Sequence, residues 1–410
     1  MIDAGEKAQY GDVNHPYKDD NMNQAGVFVT PSGQIYRDRK RYLWAVSVLV
    51  PMLALVGPGL FFVTGNGLWL WAPLAFYFVV IPVLDMVLGE DTNNPPEEVV
   101  AQLEQDRYYR YVTYLLVPVL WAIWALGVWF IGTQDTPLHG MIATVLVIGT
   151  LQGTAINLGH ELGHKKARME RWLAKIVLAP CAYGHFFVEH NKGHHRDVAT
   201  PDDPASSRMG ETLWGFALRE IPGAFLRAWD IEKTRLNKAD KPVWSLNNEI
   251  LQPALITAFA WGTAVTLFGV AVLPFILAIA VWGMFQLTSA NYIEHYGLLR
   301  KKRENGRYEP TQPHHSWNSN HIFSNWATFH LQRHSDHHAN PTRRYQSLRH
   351  FDNLPTLPNG YLGMFVLAYI PPLWFAVMNP RLVKHVDGDI TKINFHKPAK
   401  RKMIKRYFLH

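Results

Sequence analysis

The sequence predicts an all-α integral membrane protein, with six transmembrane helices and a histidine-rich domain on their cytoplasmic side. Long charge-free runs, turn residues that divide them into pairs, and basic residues held to alternate connections predict it.

The first 41 residues are polar and are expected to form an N-terminal cytoplasmic segment, with no basic opening and short apolar core to mark a cleavable leader. Residues 42–84 then run 43 positions without Lys, Arg, Asp or Glu. At about 1.5 Å per residue this makes about 65 Å of helix, enough for two crossings of about 30 Å each. Gly65-Asn66-Gly67 supplies the turn. Residues 111–134 and 136–160 are uncharged as well and meet at Asp135-Thr136-Pro137, so four helices fall within 42–158. A cytoplasmic segment over 159–250 follows. Residues 251–293, again uncharged, hold the fifth and sixth helices with a turn at Gly269 or Pro274, and 294–410 form the last cytoplasmic segment.

None of the three turns carries Lys or Arg, so all 40 basic residues fall on segments that six crossings leave on one side. By the positive-inside rule that side is the cytoplasm, with both termini in it. The net charge of +7 therefore reads as a topology and anionic-lipid signal, and nucleic acid is not the partner it implies. One cysteine, Cys181, excludes a disulfide framework and a four-thiolate metal site.

Of the 20 histidines only His15 and His139 precede His160. Four clusters stand out: His160-Glu161-Leu162-Gly163-His164, Glu189-His190-Asn191-Lys192-Gly193-His194-His195, Glu294-His295-Tyr296-Gly297, and His334-Ser335-Asp336-His337-His338. Residues four apart share a helix face, so His160 with His164, and His190 with His194, are each expected to present two imidazoles to one point. Nine imidazoles exceed the roughly six positions around one octahedral ion, so the set predicts more than one metal. An acid adjoins each box, Glu161, Glu189, Glu294 and Asp336, with Asp197 just beyond the second. Such carboxylates are expected to accept the second N–H of a ligating imidazole. His185, His314, His315, His321 and His330 lack ligand spacing and are expected outside the ligand set.

His160 to His164 also spells the H-E-x-x-H zinc protease pattern, which would use three ligands at most and leave the other boxes idle. A different resemblance takes in all four. The boxes, with residues 291–297 (NYIEHYG) and 331–339 (LQRHSDHHA), resemble those of the membrane alkane 1-monooxygenases. The similarity runs from about Tyr42 to Met378 and includes Asn93-Asn94-Pro95-Pro96-Glu97-Glu98 and His315-Ser316-Trp317-Asn318-Ser319-Asn320. Three boxes of this kind also occur in membrane fatty acid desaturases and sterol hydroxylases, while the box at His295 and the long final box narrow the choice.

The resemblance implies nine ligands, His160, His164, His190, His194, His195, His295, His334, His337 and His338, around two non-haem iron ions. It further implies a bacterial inner-membrane enzyme that inserts one oxygen atom of O2 into the terminal C–H bond of a medium-chain alkane, with rubredoxin as electron donor. A strong, apolar C–H bond offers no purchase to a side-chain acid, base or nucleophile, which agrees with a metal oxidant. Rubredoxin needs four cysteines, so it would be another chain or a fused segment absent here. The basic residues Lys392, Lys397, Lys400, Arg401 and Lys402 form a surface that would suit an acidic partner or anionic lipid. Alkane would enter from the bilayer into an apolar channel. Trp69, Trp71, Phe76, Tyr77 and Phe78 of the second helix are candidates for its lining, with Tyr77 expected to limit its depth.

Overall fold

A computed structural model describes residues 25–409 and is almost wholly helical; residues 1–24 of the polar N-terminal segment lie outside the described residues. Six helices are long and apolar enough to cross a membrane: Arg41–Thr64, Gly67–Leu88, Arg107–Thr133, Leu138–Gly163, Leu251–Phe268 and Val270–Glu294. The predicted breakers end them. Gly65 and Gly269 both take positive φ, 67° and 80°, and Pro137 caps the fourth span. Fourth and sixth spans run past the boundaries read from the sequence, to Gly163 and Glu294, so His160 sits in the last turn of a span.

The fourth span is the most enclosed of the six, and small residues let it lie hard against the sixth. A Cβ on Gly149 would meet Trp282 at 2.7 Å, and one on Gly283 would meet Gln152 at 2.5 Å. The indole of Trp282 donates to Thr150 Oγ1 at 3.0 Å, which ties the two helices where they are closest. These spans carry the first and third histidine boxes, so this contact sets the spacing between them.

Two helices on the C-terminal side, Tyr361–Ala368 and Pro371–His385, bend against each other by 119°. Both outer ends lie at histidine-bearing elements. The Tyr361 N–H donates to Gln332, two residues before the last box, and His385 Nε2 lies 3.3 Å from the carbonyl of His314. The pair thus enters the bundle and returns on the same side, a re-entrant element and not a seventh crossing. Pro371-Pro372 at the bend explains why the backbone turns there.

Gly283→Val should lower the thermal denaturation midpoint of the protein in detergent, by an overpacking cost of about 1–3 kcal/mol. Substitution of Gly59, which has nothing within 4 Å, should leave it unchanged.

Candidate metal centre

Each box is delivered by a different local device. His160 and His164 lie one α-turn apart at the end of the fourth span. His295 ends the sixth span as its C-cap. The last box is a short helix, His334–Ala339, whose start is held by Asn318: its carbonyl oxygen accepts the Ser335 N–H at 2.9 Å and its amide donates to Ser335 Oγ at 2.7 Å. The second box departs from the expected geometry. His190–His194 is a π-turn between two α-helical pieces, in which bonding runs from residue i to i+5. It brings His195, not His194, over His190, with the Nε2 atoms 3.1 Å apart.

The nine histidines consequently gather as two groups, each with its ligand atoms within 4.8 Å of one another: His160, His164, His190, His195 and His337, and then His194, His295, His334 and His338. Seven of the nine are buried and the other two half-buried. The groups adjoin, since the rings of His195 and His338 lie 4.4 Å apart. In the first, Nε2 atoms stand 2.8 Å apart for His160 and His337 and 3.2 Å for His337 and His195. In the second, His334 Nε2 is 3.2 Å from His295 Nε2 and 2.9 Å from His338 Nε2.

These contacts are not a hydrogen-bond network. An imidazole nitrogen carries one proton or one lone pair, so His334 Nε2 and His337 Nε2 cannot satisfy two nitrogen neighbours each. The Nε2 atoms of His164 and His194 are buried with no partner at all. Nitrogens about 2.1 Å from one ion and at right angles to each other stand about 3.0 Å apart, so the observed spacings fit the ligands of a cation. Burial first, and neighbouring imidazoles second, push the pKa of His164, His190, His334, His337 and His338 well below the usual value. His295 is lowered to about 3 by the same burial. All are therefore neutral at physiological pH, the form that binds metal.

His194 is the exception. Burial disfavours its charged form too, yet Asp203, 2.9 Å from Nδ1, outweighs burial and raises the pKa. Asp203 orients that ring and lies outside the five acids read from the sequence. Of those five, Glu294 reaches a histidine, with Oε2 3.5 Å from His334 Nε2. The other four face away from the imidazoles. Glu161 pairs with Lys165 at 2.9 Å, Glu189 with Arg227, Asp197 with Arg196 at 2.7 Å, and Asp336 with Arg349 at 2.9 Å. The His295 ring is held by the carbonyl of His315, 3.3 Å from Nδ1. His315 itself accepts the Gln312 N–H at Nδ1 and faces Glu309 with Nε2 at 3.3 Å, so both of its ring nitrogens are engaged within the separate Glu309–His314–His315 cluster. His185, His321 and His330 stay outside both groups.

An apolar cavity lies within the bundle; none of the nine histidines lines it, and its wall comes nearest their boxes in sequence at Asn157, Ala290 and Leu331, three to five residues before His160, His295 and His334, with Leu151 and Tyr77 farther along. Tyr77 sits in a π-turn of the second span and directs its hydroxyl at the Val50 carbonyl, 3.3 Å away. Phe76 and Phe78 flank it without lining the cavity, and Trp69 and Trp71 are exposed nearer the opposite end of that span.

The fatty acid desaturase family model matches residues 135–368, which contain every box. The alkane 1-monooxygenase 1 of Alcanivorax borkumensis is 53% identical over 373 residues, covering 91% of this chain and 92% of the relative. The alkane 1-monooxygenase of Ectopseudomonas oleovorans is 52% identical, covering 92% and 94%. The chain belongs to the alkane 1-monooxygenase family. A more distant likeness, 25% identical over 77% of this chain and 84% of the relative, is the xylene/toluene monooxygenase hydroxylase component of Pseudomonas putida.

In this member of the alkane 1-monooxygenase family the stretch 93–98 clamps the last box: Asn94 Oδ1 accepts the His350 N–H at 2.7 Å, and Glu97 pairs with Arg343 at 2.7 Å and Arg349 at 3.1 Å. The zinc protease reading of His160–His164 loses its base, because Glu161 is buried and occupied by Lys165 and the Tyr345 N–H. Asp203 and Arg227 were not found from sequence, since neither stands at helical spacing from a box. The Asp203-Pro204 turn after the second box was the one available signal.

Asp203→Asn should lower metal affinity about 10–100-fold, read as metal bound per chain against a competing chelator. Asp197→Asn, which touches only arginines, should leave it unchanged.

Proposed function

We propose that the protein hydroxylates the terminal carbon of medium-chain alkanes, with two non-haem iron ions held by His160, His164, His190, His195 and His337 on one side and His194, His295, His334 and His338 on the other. The single observation that carries the reading is two adjoining groups of converging, largely buried imidazoles in a bundle that also holds an apolar cavity. The relatives' printed activity supports the substrate and reaction class.

The balance is one alkane, one O2, two electrons and two protons to one primary alcohol and one water. Bound iron would supply the activation of O2 that no side chain can. The chain's own residues do the rest. The imidazoles would hold the cations, Asp203 fixes the tautomer of His194 by taking its Nδ1 proton in a hydrogen bond, and the His315 carbonyl does so for His295. Ala290, Leu331 and Leu151 line a passage that admits an alkyl chain end first and gives water little to bind. Leu151 and His160 are nine residues apart on one helix, about 13 Å, which sets the reach of the passage above the histidines. Electrons would come from rubredoxin through the basic side of the protein.

A second apolar cavity continues one turn further along the first and fourth spans, lined by Ala54, Leu70, Ile123, Phe130, Val147 and Ile148. Tyr77 lines the first cavity and not the second, and in this reading its ring would be the barrier between them.

Purified protein supplied with rubredoxin, reductant and octane should form octan-1-ol and carry about two iron ions per chain, the number nine imidazoles require. Zinc in place of iron, or no primary alcohol, overturns the assignment. Tyr77→Ala should join the cavities and move the product distribution from a mixed alkane pool toward longer chains by about 10-fold in relative kcat/KM. An unchanged distribution removes Tyr77 as the limit.

A further inference from the structure

The Leu213–Asn237 helix is too charged to pass for a span, yet its outer face changes character halfway along. In its first half Trp214, Leu218, Phe225 and Leu226 are 48%, 82%, 44% and 62% exposed, with Pro222 exposed among them. In its second half the exposed positions are Asp230, Lys233, Thr234 and Asn237. The charges around the first half are paired or buried: Arg219, partly exposed, is held by Glu211 at 3.0 Å, Glu220 is buried and accepts from Thr288 at 2.7 Å and Asn291 at 3.2 Å, and Arg227 grips Glu189 and Asp203. Hydropathy summed along the chain therefore hides a face with no charge on it.

The start of this helix also lies deep. Trp214 stacks on Phe285 of the sixth span, with ring centroids 5.1 Å apart and planes 17° apart. Phe285 precedes Glu294 by nine residues, about 13 Å down the helix. The same face continues onto Val281, one turn deeper and 59% exposed, and onto Ile370 at the re-entrant bend, to whose neighbour Tyr369 the Trp214 indole donates at 3.3 Å. The exposed apolar stripe is thus continuous with surface that the six spans present to lipid.

We propose that the Leu213–Asn237 helix is half-embedded, its first half lying in the acyl region of the histidine-side leaflet, with lipid chains covering the stripe from Trp214 to Leu226, and that it emerges into water at Asp230. An apolar face backed by inward polar residues is what an interfacial helix presents. Because Phe225 packs against His185 at 5.2 Å, the leaflet then reaches the turn that leads into the second histidine box. The centre sits at the boundary of the acyl region and not above it.

The test uses the full chain in lipid nanodiscs with a nitroxide on single cysteines at Leu218→Cys or Asp230→Cys, and at Leu255→Cys on the fifth span as reference. Native Cys181 is buried and sets the labelling background. Collision with O2, which concentrates in lipid, and with a water-soluble nickel chelate is read by power saturation, and wild-type thermal midpoints establish that each variant folds. The Leu218 label is expected to match Leu255, with several-fold less nickel relaxation than Asp230. Nickel relaxation at Leu218 equal to that at Asp230 overturns the proposal. So does an immobilised label reached by neither reagent, which would mean that protein covers the stripe.

Discussion

Nine imidazoles crowd their ring nitrogens together in a largely buried site, and much of the structure follows from what that arrangement costs. Each unmatched buried nitrogen costs about 1–3 kcal/mol on its own. A cation between the rings reverses the sign of every one of those contacts. Until it arrives, the four boxes have to be held in place by something other than one another. That task falls to the bundle and to the ion pairs around it.

The acids beside the boxes belong to that holding task. Glu161, Glu189 and Asp336 alternate with histidines in sequence, and on a helix this sends them outward where the imidazoles go inward. Outward they meet Lys165, Arg227 and Arg349. The second and last boxes are thereby bolted to other segments by their own carboxylates, Glu161 receives the Tyr345 N–H besides pairing with Lys165 one turn on, and the last box is bolted twice, since Glu97 binds both Arg343 and Arg349. Arg227 joins Glu189 to Asp203, so one guanidinium couples the backbone of the second box to the carboxylate that orients His194. Buried pairs of this kind contribute little net stability when intact but are costly to break singly, which makes them good determinants of position.

The six spans and their turns were legible because they depend on one-dimensional properties: absence of charge and presence of glycine or proline. The histidine set was legible as a set, but its division was not. The rule of four held for His160 with His164, where the helix is regular, and failed for His190 with His194, where a π-turn inserts one extra residue. No residue type demands a π-turn, so the sequence could not announce it. The re-entrant pair was hidden for a different reason: Tyr361–Ala368 spans eight residues, too few to register as a crossing. Among the channel candidates, Tyr77 was the one expected to limit depth and is the one that lines the cavity, whereas the faces taken by Trp69, Trp71, Phe76 and Phe78 could not be read from an uncharged run.

The two histidine groups are not electrostatically alike. Asp203 and Glu294, the carboxylates that approach imidazoles directly, both belong to the group of four. Among the described residues no carboxylate is hydrogen-bonded to the rings in the group of five, whose adjacent acids are spent on Lys165, Arg227 and Arg349. Neutral ligands leave a cation's charge intact, so in the proposed reading an ion held by five imidazoles keeps more of its charge than one held by four with two carboxylates behind them. Arg227 moderates the difference by drawing on Asp203, at 2.7 Å, while Glu294 has the Tyr361 hydroxyl beside it. Asymmetry is therefore built into the fold, and the extra residue of the His190–His194 turn contributes to it by sending His194 to Asp203 and His195 to the other group, while Glu294 adds to it at His334.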